Sequence, residues 1–358
     1  MKFSPTLKLH ATVKDHTFRV QPVKTLIIFL TLSMTIFLAI PFQAMAGRVE
    51  VGTVTLPNTS LNPGWTTITF QQPFDTIPLV FITATSDGVQ PCAVRITDVT
   101  TTDFLACQVE PTGMDGLHAA MTIHYLAVSE GVHRLGPEDF IKAYYVETMA
   151  FKHWASDQGQ MGWDTLTWKV FGSTPVVLAQ IQTMNNEEGT PPITPSKPWL
   201  TTVLQDLTIT GGRVVLERSG VLPGSVEIPE KVGYLAFPAN IQESMTDDSG
   251  ATVYYESIVT QSVILGWENS PFCANQINFT NDYTSPPRVF ATKITRNEGD
   301  GGWLRRCSLD KNSVGLVVDE DAFKFPKRTH IAEAVNILVF SQDFHATIPT
   351  EDVDPFCY

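Results

Sequence analysis

The sequence predicts an all-β protein of three tandem six-stranded antiparallel β-sandwiches, able to close into an intrachain pseudo-trimer. Three observations carry this. Gly64–Thr85 (GWTTITFQQPFDTIPLVFITAT), Gly162–Thr183 (GWDTLTWKVFGSTPVVLAQIQT) and, more loosely, Gly266–Thr295 share a Gly-Trp opening, alternating β-branched and aromatic residues, a turn, and a Pro-led hydrophobic run. Trp65 to Trp163 is 98 residues and Trp163 to Trp267 is 104, so the repeating unit is a whole domain rather than a solenoid turn. No window longer than a turn or two has a helical period, and short alternating runs bounded by Gly, Pro, Asn and Asp indicate a sandwich or barrel.

The first 46 residues stand outside this pattern. Lys24 precedes an uncharged run from Thr25 to Ile40, and Ala44-Met45-Ala46 has the small-x-small form of a signal peptidase site. The run is short for a spanning helix, so residues 1–46 are read as a signal peptide cleaved after Ala46 rather than as an anchor. The expected product is secreted, periplasmic or on the cell surface. It divides into sandwiches over 47–135, 136–240 and 241–346, with a tail over 347–358.

Copy one is expected to place strands near Val49–Thr55, Trp65–Phe70, Leu79–Thr85, Val94–Val99, Phe104–Val109 and Ala120–Val128. Copy two repeats them at Tyr145–Phe151, Thr165–Lys169, Val176–Thr183, Leu200–Leu207, Arg213–Glu217 and Val232–Phe237. Copy three follows at Tyr254–Val259, Gln276–Phe279, Val289–Thr295, Leu304–Leu309, Val314–Val318 and Ala334–Phe340. The joints, Ser129–Ala143 and Pro238–Thr252, alternate weakly and read as short linkers. Matching positions tie the copies together: His118 with His330 and Glu227; Glu110 with Glu217 and Asp319 or Glu320; and Glu50 with Glu147 and Glu256.

Charge narrows the partners. Residues 1–46 hold five of the 24 Lys and Arg and one of the 37 Asp and Glu, so the remainder carries a formal charge of −17. That argues against nucleic acid and anionic lipid, which need basic patches. All five cysteines follow the leader and would meet an oxidising compartment. Cys92 and Cys107 bracket an expected hairpin and suit a cross-strand disulfide, Cys273 and Cys307 form a second candidate pair, and Cys357 is the odd one.

Between strands three and four each copy has a polar, Gly-bearing loop: SDGVQP from Ser86, NNEEGTPPITPSKPW from Asn185, and NEGDGGW from Asn297. In sandwiches such loops gather at one end, where ligands bind. Asp87, Glu187 and Asp300 can accept sugar hydroxyls there, and Trp199 and Trp303 can offer a ring face to a pyranose. The competing reading is a solvated turn with a core tryptophan. Arg95 and Arg305, each nine residues before a strand-five residue, supply forks for hydroxyls or an acid, with a surface ion pair as the alternative. Glu110, Glu217, His118 and His330 complete the candidate set. The chain has no Gly-x-Ser-x-Gly elbow, nucleotide-binding glycine loop, His-Glu-x-x-His or zinc-spaced cysteine pair, and it reads as a non-enzyme. No metal is assigned. Ca2+ suits the acids and carbonyls of the Asn297 loop, which lacks a full ligand spacing.

The residues VEVG, GW, ITF…PFDTIPLVFIT and VRITDVTTTDFLACQVE of copy one resemble the H-type lectin domain, known from snail agglutinins and the C-terminal part of discoidins. The resemblance covers Arg48–Val128 and recurs over Tyr144–Phe237 and Val253–Phe344. It implies a six-stranded sandwich binding galactose-type sugars, especially N-acetylgalactosamine, in trimers with sites at subunit interfaces. The family's sugar-contacting arginine falls on Arg95 and Arg305. Its Trp-His at the end of strand five is replaced by Glu110-Pro111, Glu217-Arg218 and Asp319-Glu320. The expected function is glycan binding, as a monomeric pseudo-trimer or small homo-oligomer. The rival is a structural or adhesion module that binds protein.

Overall fold

Runs of β-branched and aromatic residues leave their backbone groups to be paired by neighbouring strands. The computed structural model describes residues 46–351 apart from 62–63, 112–113, 137–138, 154–161, 169–170, 188–197, 219–224, 300 and 322–326. The leader, Asp300 and Cys357 lie outside the described residues. Met45–Tyr358 forms one compact unit, all-β and without a helix among the described residues.

Copy one contains β1 (Gly47–Leu56), β2 (Thr66–Thr69), β3 (Leu79–Ile82), β4 (Ala84–Thr85), β5 (Ala93–Thr97), β6 (Asp103–Val109) and β7 (Met121–Val128). After β8 (Gly131–Arg134), copy two contains β9 (Phe140–Thr148), β10 (Phe151–His153), β11 (Asp164–Thr167), β12 (Val176–Ile181), β13 (Leu200–Gln205), β14 (Gly211–Arg218) and β15 (Glu230–Phe237). After β16 (Gln242–Thr246), copy three contains β17 (Thr252–Val259), β18 (Gln276–Asn278), β19 (Arg288–Lys293), β20 (Trp303–Leu309), β21 (Ser313–Asp319) and β22 (Val335–Phe340), and β23 (Phe344–Ile348) ends the series. Each expected strand has a counterpart. The main offset is β9, which starts five residues before the expected Tyr145 because Ile141 and Ala143 are core residues.

The copies share one pairing pattern. Their first sheets run β23-β1-β7-β3, β8-β9-β15-β12 and β16-β17-β22-β19. Their second sheets are β2-β6-β5, then β11-β14-β13 with β10 parallel to β14, and β18-β21-β20 with β4 of copy one added in parallel. The segments read as linkers are therefore corrected: β8 and β16 are edge strands that pair with the copy that follows them. β23 takes the same place beside β1, so the last strand among the described residues completes the first sheet. β8 has only four residues, of which the buried Val132 and His133 are adjacent rather than alternating, and in β16 only Met245 is buried, so neither segment shows a strand pattern in the sequence.

β7, β15 and β22 are buried on both faces, which is why they read as near-continuous hydrophobic runs. Ile123, Tyr125 and Ala127 of β7 pack inside the first sandwich with Phe70 and Phe104, and copies two and three have their own inner cores around Leu166 with Val214 and around Val289 with Leu316. The alternate residues point the other way. Leu126 and Val128, Leu235 and Phe237, and Leu338 and Phe340 join one further cluster to which all three first sheets contribute, together with Phe344, Ala346 and Ile348 of β23.

Candidate functional site

Cross-strand register fixes which residues are equivalent. Arg95 faces Cys107, Val203 faces Val215, and Arg305 faces Val317, with the hairpin turns Thr100–Asp103, Thr208–Gly211 and Asp310–Ser313 in matching places. At this level in copies one and three, and two residues along the ladder at Thr201–Glu217 in copy two, a charged side chain crosses each junction between copies. Arg95 donates to both carboxylate oxygens of Glu187 in copy two, at 2.7 and 2.8 Å. Glu217 accepts Lys293 Nζ at 3.3 Å and Arg296 Nε at 2.5 Å, both from copy three. Arg305 uses all five of its N–H donors: on the carbonyls of Thr85, Asp87, Gly88 and Gln90 in copy one, and on Asp319 of its own copy at 2.8 Å.

A second set of bonds follows the same cycle. The backbone of Val80, Val177 and Val289 occupies one register position in β3, β12 and β19. Val289 N donates to His124 Nδ1 of copy one at 3.0 Å, Asn336 Nδ2 of copy three donates to Val177 O at 3.5 Å, and Gln182 of copy two bonds both the N–H and carbonyl of Val80 at 2.9 and 2.8 Å. Copy two has Gly233 where the others have His124 and Asn336, and a Cβ there would meet the Gln182 amide at 3.0 Å. Residues of all three copies, Thr83, Gln180, Thr201, Thr292 and Lys293 among them, line a cavity of about 80 Å3.

The expected ligand residues are mostly absorbed into these joints. Arg95 and Arg305 are 2% and 0% exposed, and the guanidinium of Arg305 has no donor left for a sugar. Trp199 and Trp303 are buried edge to face with centroids 4.2 Å apart, and their indole N–H groups donate to Val109 O and Cys92 O of copy one. They are interface core, not stacking platforms. Glu187 and Glu217 are the buried partners already described.

Glu110 and His118 are buried in copy one, where Gly116 N donates to Glu110 at 2.9 Å and Thr59 Oγ1 accepts His118 N at 2.7 Å. His330 lies between Glu320 and Glu333. Burial disfavours its charge, yet the two carboxylates raise its pKa to about 9. Burial lowers His118 below its usual value. Asp300 lies outside the described residues.

Three further expectations are corrected. Cys92 and Cys107 are both unbridged and buried, because β5–β6 register sets Cys107 opposite Arg95. The Cys273–Cys307 disulfide is present. Glu50 and Glu256 are true equivalents, each capping backbone N–H groups of the strand-two turn, at Gln71 and at Thr280. Glu147 is not their counterpart, since Lys142 faces Ala236 where Glu50 faces Ala127. Glu217 is equivalent to Asp319 and, in copy one, to Val109, whereas Glu110 is equivalent to Glu320 and, in copy two, to Arg218. Trp163 packs outside the inner core, against Ala150, Val203 and Val215.

One expected residue remains exposed. Asp87 sits on the Ser86–Gln90 turn, whose carbonyls Arg305 draws inward; Arg328 adds a bond to Val89 O at 2.6 Å. Gly88 has φ +76°, and a Cβ there would meet the His118 ring at 2.8 Å, so the turn requires glycine. Asp87 accepts Thr85 Oγ1 at 2.6 Å and Thr122 N at 3.3 Å. Val89 and Leu117 are exposed, and Gln90 donates to Asp115 at 3.2 Å. Across the junction, Arg306 of copy three donates to His124 Nδ1 at 2.7 Å and to Thr122 O at 3.2 Å, with no ion pair among the described residues. Burial pushes its pKa down to about 10, and the Asp87 charge partly opposes this. His124, buried and facing Arg306, is held neutral with its pKa down to about 2. Sequence reading passed over Arg306 because its neighbour Arg305 held the position that matched.

Burial raises Glu110 from 4.5 to about 8, opposed by the Gly116 N–H and supported by Asp115. Its folded pKa is above the unfolded value, so its contribution to stability is present below pH 4.5 and lost as pH rises through about 8. Denaturant midpoints should fall across this window, and Glu110→Gln should flatten the fall; an unchanged pH profile would contradict the assignment.

Compared with family models, with curated proteins and with solved structures, the chain matches none.

Proposed function

We propose that the chain is an exported, non-catalytic glycan-binding protein, with one polypeptide filling the three subunit places of an H-type-lectin-like trimer. The observation that carries this reading is the shared core and the cycle of junction bonds at equivalent positions of the three copies. Recognition sits at the junction of copies three and one. There Asp87 offers a carboxylate to vicinal hydroxyls on a turn held by Arg305, and Arg306, which makes no ion pair among the described residues, supplies a donor. The other two junctions lack this pairing: copy two has Leu204 and Met184 at the positions of Arg306 and Asp87.

A second reading, a structural or adhesion module that binds protein, is favoured by the burial of Trp199 and Trp303, which removes the aromatic faces expected for a pyranose. A glycan array with the wild-type chain, Asp87→Ala and Arg306→Gln separates the two. Binding of galactose-type sugars that falls at least tenfold in Asp87→Ala, with unchanged thermal unfolding, supports glycan recognition at this turn. No signal at millimolar sugar favours the protein-binding module.

A further inference from the structure

We propose that copy three carries a divalent transition-metal site formed by His330, Glu320 and Glu298. His330 Nδ1 is 2.5 Å from Glu320 Oε1 and 3.5 Å from Glu298 Oε2, and one ligand atom from each residue lies within 4.8 Å of the others. The imidazole is fully buried, and its Nε2 is 3.0 Å from Glu333 Oε1. Glu333 is itself fixed by the Thr295 hydroxyl and by Asn297 N at 2.9 Å. A carboxylate behind an imidazole sets its tautomer and turns the other nitrogen toward a metal. With Nε2–H donating to Glu333, the Nδ1 lone pair is directed at Glu320 and Glu298.

One imidazole with two carboxylates suits Zn2+, Mn2+ or Co2+, whereas Ca2+ takes oxygen ligands alone. The Glu298 side chain is 27% exposed, which leaves an entry path and room for water as a further ligand. Tetrahedral bonds of about 2.0–2.1 Å place ligand atoms roughly 3.3 Å apart. The Glu298–Nδ1 separation is already near this, and Glu320 must draw back by less than about 1 Å.

Copy one supplies an internal contrast. Glu110 and His118 occupy the registers of Glu320 and His330, but Val89 stands in place of Glu298 and Met121 in place of Glu333. In that copy the buried Glu110 Oε1 and His118 Nε2 have no hydrogen-bond partner among the described residues. Copy three adds both the third ligand and the carboxylate behind the imidazole. Satisfying His330 as a hydrogen-bonding residue needs fewer carboxylates than it has.

The full chain, stripped with a chelator, would be loaded separately with Zn2+, Co2+ and Ca2+, desalted, and assayed by elemental analysis, with Co2+ also followed by its d–d absorption. Retention of one Zn2+ per chain and a low-symmetry Co2+ spectrum are expected. Glu298→Gln, at a partly exposed position, should keep the thermal unfolding of the apo chain and weaken Zn2+ binding at least tenfold. Glu333→Gln should weaken it by about 10–100-fold. No retained Zn2+, retention unchanged in Glu298→Gln, or retention of Ca2+ in preference to Zn2+ would overturn the site.

Discussion

Replacing Arg305 by alanine is expected to lower stability by about 3–5 kcal/mol, the range for removing one partner of a buried ion pair. Two features set the size. Asp319 keeps Arg328, which donates to both its oxygens at 2.6 and 2.8 Å, so the acid is not left unpaired. The carbonyls of Thr85, Asp87, Gly88 and Gln90 lose their common donor, and each buried polar group left unsatisfied costs about 1–3 kcal/mol. Water reaching the turn limits the sum, so the costs do not add in full. The Arg305 guanidinium also lies 4.5 Å from the Trp267 ring centroid, and that packing is lost. Arg305→Lys should recover less than half, because an ammonium cannot reproduce five donors in a planar fork. Denaturant unfolding of the three chains gives the answer. A change below about 1 kcal/mol in Arg305→Ala would show that this arginine does not brace the junction.

The same residue shows how far the site was legible in the sequence. Its register with Arg95 was readable from spacing, and β5–β6 and β20–β21 pairing places the two alike. Its role was not readable, because spacing within one copy says nothing about what the neighbouring copy presents. Trp199 and Trp303 follow the same logic: tryptophans at loop ends suit a pyranose face, and here the two rings meet each other. The strands were legible wherever one or both faces are buried, since alternation or a continuous hydrophobic run records burial. β8 and β16 were not, because β8 is four residues long with its two buried residues adjacent and β16 buries only Met245, so neither leaves an alternating pattern. His330 was picked out by its match to His118, but the acids around it come from the loop at Glu298, the end of β21 and the approach to β22, three segments that only the fold brings together.

The largest effect is expected from ending the chain after Asp343, which removes β23. Pairing of Gly47 with Ile348 through Val51 with Phe344 is lost, and so are the contacts beyond it, where Glu351 N donates to Val132 O and its side chain meets Arg134 at 3.0 Å. Phe344 and Ile348 are each nearly fully buried in the core common to the three first sheets, and burying such side chains contributes about 1.5–3 kcal/mol apiece. Their loss, with that of the ladder, approaches the 5–15 kcal/mol typical of a whole folded domain. β1 then becomes an open edge beside an uncovered apolar strip, a template for pairing with another chain. The shortened chain should therefore be unfolded or aggregated under conditions where the full chain is monodisperse in size-exclusion chromatography. Phe344→Ala keeps the ladder and opens only a cavity, at about 3–5 kcal/mol, so it should fold with a lowered denaturant midpoint. A peptide spanning Phe344 to Glu351, added in trans, should restore part of the soluble fraction of the truncated chain. If the truncated chain stayed monomeric with an unchanged midpoint, β23 would be an accessory strand and the first sandwich would not depend on the end of the chain for closure.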